Sequence, residues 1–141
     1  MSGSADYPKA IVLSDGRHLE LRAASAGEVA TLVRDEGACE PVLAVGAWDG
    51  PQLAGVVRLV HTAPRIAEVR IALEAEYRGK RLGTWLLLDA VHAAATLDLD
   101  GLVAERPSDP EHTAALRHLD FVATAGTTRL VKTLHRGWPR F

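Results

Sequence analysis

Glu68-Val-Arg-Ile-Ala-Leu-Glu-Ala-Glu-Tyr-Arg-Gly-Lys-Arg-Leu-Gly-Thr-Trp-Leu-Leu-Leu88 is the stretch that decides the fold. Its first part continues a run from Ile66 in which Ala67, Val69, Ile71 and Leu73 are all apolar. They alternate with Ile66, Glu68, Arg70 and Ala72, so the period is two and the segment is a strand with its apolar set toward the core. Glu68 and Arg70 then share the opposite face. The last part, from Leu82, carries Leu86, Leu87, Ala90, Val91, Ala94 and Leu97 as a wide helical stripe suited to packing on a sheet. Between them lies the tight basic turn Arg78-Gly79-Lys80-Arg81-Leu82-Gly83. A strand that feeds a helix this way leaves backbone N–H groups without acceptors at the helix start. Those donors and the helix dipole favour an anion, and a phosphate fits best.

Working outward toward the N-terminus, Ala63-Pro64-Arg65 breaks the chain before a β-branched strand at Leu53–Thr62. Asp49-Gly50-Pro51-Gln52 is a turn by composition, and Val42–Trp48 is a strand before it. Three consecutive strands joined by short turns form an antiparallel meander. Ser25-Ala26-Gly27-Glu28 has capping-box spacing, with Val29, Leu32 and Val33 on one face of a helix expected to stop near Gly37. Ala10–Leu13 and His18–Arg22 flank Ser14-Asp15-Gly16-Arg17, an Asp-Gly hairpin signal.

Beyond Leu97, Gly101 ends the helical element and Leu102–Glu105 is a short strand. Asp109 before Pro110, or Ser108 heading a capping box, starts a further helix that carries Ala114, Ala115, Leu116 and Leu119. Phe121–Thr124 and Arg129–Leu134 form a closing hairpin. The expected architecture is α+β: one domain over residues 1–141, with a mixed, mostly antiparallel sheet of about seven strands flanked by three helices. Residues 1–8 and 135–141 read as tails. The dinucleotide fingerprint is set aside, because three antiparallel strands precede the turn and its glycine spacing differs.

Composition narrows the function classes. A net charge of −2 with both signs interspersed leaves no broad polycationic face for nucleic acid. Cys39 is the sole cysteine, which excludes an internal disulfide, and the scattered histidines lack metal-ligand spacing. No apolar run reaches a membrane span, and the first residues lack signal-peptide features, so a cytoplasmic protein with neither membrane nor metal is the expectation.

The element order and the segment Ala67-Glu68-Val-Arg-Ile-Ala-Leu73, followed by Tyr77-Arg78-Gly79, resemble the GNAT superfamily of N-acetyltransferases. That family's acyl-CoA turn runs Arg or Gln, two residues, Gly, one residue, then Gly or Ala. Arg78 and Gly83 match it, whereas Arg81 stands where the middle glycine belongs. Leu119-Asp120-Phe121 stands where a leucine-glycine-phenylalanine usually ends the last helix. Only one helix precedes the meander where the family often has two, which would leave the acceptor side open. The closest likeness is to modules that acetylate lysines of metabolic enzymes, which also carry Ala-Glu on this strand.

The resemblance implies acetyl-CoA as co-substrate, pantetheine along Ile71, Ala72 and Leu73, and pyrophosphate at Arg78, Gly79, Lys80, Arg81, Leu82, Gly83 and Thr84. At position 81, a residue with a Cβ still offers its N–H if φ is negative. Asp120 tolerates a left-handed conformation well. Glu68 is the implied general base, and a place in the cleft would raise its pKa. The plainer reading of Glu68 is an ion pair with Arg70 or Arg58. Glu105 is the alternative base or an acceptor-binding carboxylate. No tyrosine stands at the helix position where many members have one to protonate the thiolate. Leu116 stands there instead, which leaves solvent, His112 or His118. Trp85 reads as core or cleft lining, and Trp138 and Phe141 as tail anchors or a homodimer contact. The function implied is N-acetylation of a primary amine, a protein lysine or a small amine, by direct attack in a ternary complex. The alternative is a non-catalytic module of the same fold that senses acyl-CoA or mediates an interaction.

Overall fold

The computed structural model describes residues 8–33, 41–97, 99–105, 110–123 and 129–133, without the side chains of residues 110–112 and 129. Strands β1 (Lys9–Val12) and β2 (His18–Ala23) form the first hairpin, and α1 (Ala26–Ala30) follows. The meander is β3 (Leu43–Asp49), β4 (Gln52–Ala63) and β5 (Ile66–Leu73). Then come α2 (Leu82–Ala94), β6 (Gly101–Glu105), α3 (Pro110–His118), β7 (Val122–Ala123) and β8 (Arg129–Thr133). The expected order of elements stands, with eight strands in the sheet rather than about seven.

The sheet order is β1-β2-β3-β4-β5-β6-β8-β7. Every neighbouring pair is antiparallel except β5 and β6, which run parallel. That parallel contact is short: Ile66, Ala67 and Glu68 pair with Gly101, Leu102 and Val103. On its other side β5 pairs with β4 all the way to Leu73. Among the described residues, therefore, the β6 side of β5 has no strand partner from Val69 onward.

The apolar face of β5 fulfils its pattern. Ala67 and Val69 join Val57, Leu59 and Leu102 in the core, beneath Leu82, Leu86, Leu87 and Ala90 of α2. Ile71 and Leu73 are half-buried against that cluster. The opposite face of β4 and β5 is covered as well: Val56, Val60, Arg58 and Glu68 are all buried.

Two helix ends differ from expectation. The capping box of α1 forms in full, with Glu28 N–H donating to Ser25 Oγ at 3.1 Å and Ser25 N–H to Glu28 Oε1 at 2.9 Å. The backbone N–H of Ser25 holds the Glu28 carboxyl below the usual range. Yet α1 closes at Ala30, where Thr31 N–H and its hydroxyl both turn back to the Glu28 carbonyl. The expected stop near Gly37 falls outside the described residues, as does the stretch 34–40 that bears on the expectation of a single helix before the meander. Helix α2 ends at Ala94 rather than Leu97, because Thr96 donates its hydroxyl to the Ala93 carbonyl at 2.7 Å and tightens the last turn. Helix α3 begins at Pro110, the position that suits a residue without an N–H.

Candidate acyl-donor and acceptor site

The turn that leaves β5 is built on a buried phenol. Ala75–Tyr77 forms one 3-10 turn, and Tyr77 is only 1% exposed. Its hydroxyl donates to Asp49 Oδ2 at 2.6 Å, across from the β3–β4 turn. Burial, then the Asp49 contact, push the phenol up to about 12. The Arg17 guanidinium lies 5.1 Å above the ring. Tyr77 is thus an anchor for the turn.

Gly79 and Arg81 are both left-handed, at φ 75° and 71°. The negative φ expected of a residue with a Cβ at position 81 is not what the chain adopts. Arg81 is the N-cap of α2, with ψ 12°, and the backbone around it is held from both sides. Ser14 N–H donates to the Lys80 carbonyl at 3.2 Å, and Trp85 N–H to the Arg81 carbonyl at 3.2 Å. The turn therefore keeps the geometry a glycine would give it, at a cost of roughly 1–2 kcal/mol for a side chain in this region. Asp120 is also left-handed, at φ 71°, as expected of that residue type.

The start of α2 has the character of an anion cradle. It has no side-chain cap and no acidic residue in its first turn, so the N–H groups of Leu82, Gly83 and Thr84 lack intrahelical acceptors. Leu82 is fully buried and Gly83 is buried, so these two offer backbone alone. Around Gly79 there is open space. The three cations of the turn differ. Lys80 Nζ stands 4.0 Å from Asp15, and Arg78 Nη2 stands 3.5 Å from the Leu73 carbonyl, long for a hydrogen bond. Arg81 is exposed, and among the described residues its guanidinium makes no ion pair or hydrogen bond.

Ile71, Ala72 and Leu73 lie half-buried on β5, beyond its last pair with β6. Glu68 is that last paired residue, at the point where the two strands part. It is 8% exposed. Its Oε1 accepts from Arg70 Nε at 3.1 Å and from Arg70 Nη2 at 3.0 Å, whereas Oε2 accepts no hydrogen bond among the described residues. The ion pair read from sequence is therefore present, and it engages one carboxylate oxygen. Arg58, buried, is the register partner of Arg70. Glu105 ends β6 two residues past Val103, the partner of Glu68, so both carboxylates belong to one face, and Glu105 is exposed.

The remaining candidates separate clearly. Leu116 is core at 5% exposure, and His118 is an exposed residue in the last turn of α3. Trp85 is 37% exposed and donates Nε1–H to the Val12 carbonyl at 3.1 Å, fastening α2 to the edge strand β1. Cys39, Trp138, Phe141 and the side chain of His112 lie outside the described residues. Among the described residues no three His, Cys, Asp or Glu side chains converge as a metal site, and no helix is long and apolar enough to cross a membrane. The sequence reading missed the brace from the first hairpin, Ser14 to Lys80 and Val12 to Trp85, since contacts of such separation leave no local signal.

Comparison with known proteins agrees with this geometry. The GNAT domain of S. lividans PAT superposes with a TM-score of 0.67 at 17% identity, over 94% of this chain and all of that one. A cAMP-binding acyltransferase from Mycobacterium smegmatis (E234A mutant) gives 0.67 at 16% identity, over 91% of this chain and 48% of that one. A GNAT superfamily phosphinothricin acetyltransferase from Sinorhizobium meliloti in complex with AcCoA gives 0.56 at 23% identity, covering 65% and 60%. The chain thus spans about half the length of the mycobacterial protein. No curated protein matches it in sequence. The family model described as Acetyltransferase (GNAT) family matches residues 15–119, from the first hairpin loop to the end of the last helix. This fold supports acyl-CoA-dependent N-acetyltransferase activity in general. By that match, and by the parted strands and glycine turn it encloses, the chain belongs to the GNAT acetyltransferase family.

Proposed function

We propose that the chain is a cytoplasmic N-acyltransferase that uses acetyl-CoA and acetylates a primary amine, with a protein lysine as the leading acceptor. The observation that carries this is Glu68. It is a largely buried carboxylate with one oxygen clamped and one open, at the point where β5 and β6 part. The residues present fit the donor. The uncapped start of α2 and the open space at Gly79 suit a diphosphate, and the partnerless edge of β5 at Ile71–Leu73 suits an amide-bearing chain. Acetyl-CoA supplies the thioester-activated acetyl group.

In this mechanism Glu68 accepts a proton from the acceptor ammonium, directly or through water, while Arg70 keeps its other oxygen in place. Glu105, on the same face, offers a second carboxylate to a cationic acceptor. Leu116 supplies no proton, so solvent or His118 reprotonates the thiolate, and the freed amine attacks in a ternary complex without a covalent enzyme intermediate. Leu116 at the position of the missing tyrosine is also what favours the second reading, a non-catalytic acyl-CoA sensor.

The test is thermal unfolding with acetyl-CoA, desulfo-CoA and ATP, followed by thiol release on lysine peptides and polyamines. Ligand at ~100 times its dissociation constant stabilises by about 2.7 kcal/mol, several degrees for a chain of this size. A shift with both CoA species, and thiol release with an amine, is the expected result. A shift without release supports the sensor, and no shift with either CoA species refutes both.

A further inference from the structure

We infer that Arg17 is a positioning residue for the acyl donor: it offsets the carboxylates gathered at the base of the glycine turn, so that the turn receives an anion. The inference rests on the acyl-CoA reading of that turn and names a group outside it on which its affinity depends. Arg17 closes the β1–β2 hairpin, and the loop fixes where its side chain leaves the backbone. Leu13 N–H donates to the Arg17 carbonyl and Gly16 N–H to the Leu13 carbonyl, each at 2.9 Å, while Arg17 N–H donates to Asp15 Oδ1 at 3.1 Å. From there the guanidinium reaches three carboxylates that lie far apart in sequence. Its Nε stands 3.3 Å from Asp15, and its Nη1 stands 3.7 Å from Asp49 and 3.7 Å from Glu76. The Tyr77 ring lies against the same guanidinium, its centroid 5.1 Å away. One cation thus joins the first hairpin, the β3–β4 turn and the 3-10 turn that leaves β5.

Each of these pairs is open to solvent, so each adds little to stability. Their place gives them a second effect. Glu76 and Tyr77 directly precede Arg78, and Lys80 lies against the hairpin, with its carbonyl accepting from Ser14 N–H at 3.2 Å and its Nζ 4.0 Å from Asp15. Among the described residues, Arg17 is the sole ion-pair partner of Asp49 and Glu76, and Asp15 has Lys80 besides. Without Arg17, three carboxylates would face Lys80 alone beside the turn assigned to the anionic end of the donor. Charges closer than about a Debye length, ~10 Å at 0.1 M salt, act on one another with little screening. Arg17 therefore works through its neighbours: it removes a repulsion and keeps Lys80 from being drawn further toward Asp15.

Calorimetric titration with CoA at low and high salt tests this on the unaltered chain, Arg17→Gln, Arg17→Lys, Glu76→Gln and the double variant of Arg17→Gln with Glu76→Gln. Arg65→Gln, which breaks the exposed Arg65–Asp100 pair at the far end of β5, is the control. Arg17→Gln is expected to weaken CoA about three- to tenfold at low salt, with a smaller gap at high salt. Arg17→Lys keeps most of the affinity, and the double variant regains much of what Arg17→Gln loses. In thiol-release assays Arg17→Gln raises the KM for acetyl-CoA and leaves kcat and the KM for the amine unchanged. Melting without ligand moves little in any variant. A tie that merely holds three loops together predicts otherwise: a loss indifferent to salt, and a double variant no better than Arg17→Gln. That result, an equal loss in Arg65→Gln, or undiminished CoA binding by Arg17→Gln overturns the inference and leaves the acyl-CoA site standing. Failure of the unaltered chain to bind CoA overturns both.

Discussion

Replacing Tyr77 by phenylalanine removes one hydroxyl from the base of the turn, and the structure sets the size and sign of the effect. The lost bond is 2.6 Å long and reaches a carboxylate. Bonds to charged groups contribute roughly 1.5–3 kcal/mol. Asp49 is 36% exposed on its side chain and gains water in exchange, so the expected cost at pH 7 is about 1 kcal/mol. The phenol also titrates. In the fold it keeps its proton up to about 12, against 10.0 for the free group. Its contribution is therefore whole below pH 10 and is lost as the pH rises from 10 to 12. At pH 11 the unaltered chain has lost ~1.4 kcal/mol through this group, a loss the variant escapes. The two stability curves should meet between about pH 10.5 and 11. Urea unfolding of both proteins at pH 7, 9, 10 and 11 measures this, because groups common to both cancel in the difference. A constant offset from pH 7 to 11 would refute the account of Tyr77 as a buried neutral donor to Asp49.

Glu68→Gln should bind acetyl-CoA as the unaltered chain does and lose roughly 10²-fold or more in kcat/KM, measured by thiol release; full turnover would remove Glu68 as the base. Gly46→Ala should destabilise the fold by about 1–3 kcal/mol, since the added Cβ would lie 2.7 Å from the Trp48 ring and 2.9 Å from Leu53. That ring is buried and stacked under Arg22 at 3.6 Å, so it has little room to give. Near-ultraviolet circular dichroism and urea unfolding report both effects, and unchanged stability would contradict the packing. Unlike these substitutions, Arg81→Gly should stabilise the free chain, with unfolding in the absence of ligand as the measurement.

Much of this architecture is legible in the chain because local rules and tertiary packing agree. The two-residue alternation of β5 names its core face, Ser25 and Glu28 announce their reciprocal bonds, and Pro110 marks the start of α3. The misses have a shared cause. Arg81 is left-handed in a turn whose neighbouring Lys80 carbonyl accepts from Ser14, far away in sequence, and no propensity of arginine encodes that. Glu68 is more buried than a polar residue on the second face of a strand suggests, because that face of the sheet carries Val56, Val60 and Arg58 beside it. In the site, residue types and order were readable, the Glu68–Arg70 ion pair included, whereas its use of a single carboxylate oxygen took side-chain geometry.

The short seam between β5 and β6 also has a mechanical consequence. Three residue pairs join the sheet of β1–β5 to that of β6–β8. Among the described residues the backbone ladder is thus nearly cut in two, and the amides of Val69–Leu73 that face the open side are expected to exchange fast. A ligand whose own amides run along that side is, to the protein, a borrowed strand. A ligand that filled the gap would restore the ladder, stiffen the joint and slow exchange on both sides of it, and so would serve for a time as part of the scaffold that positions it.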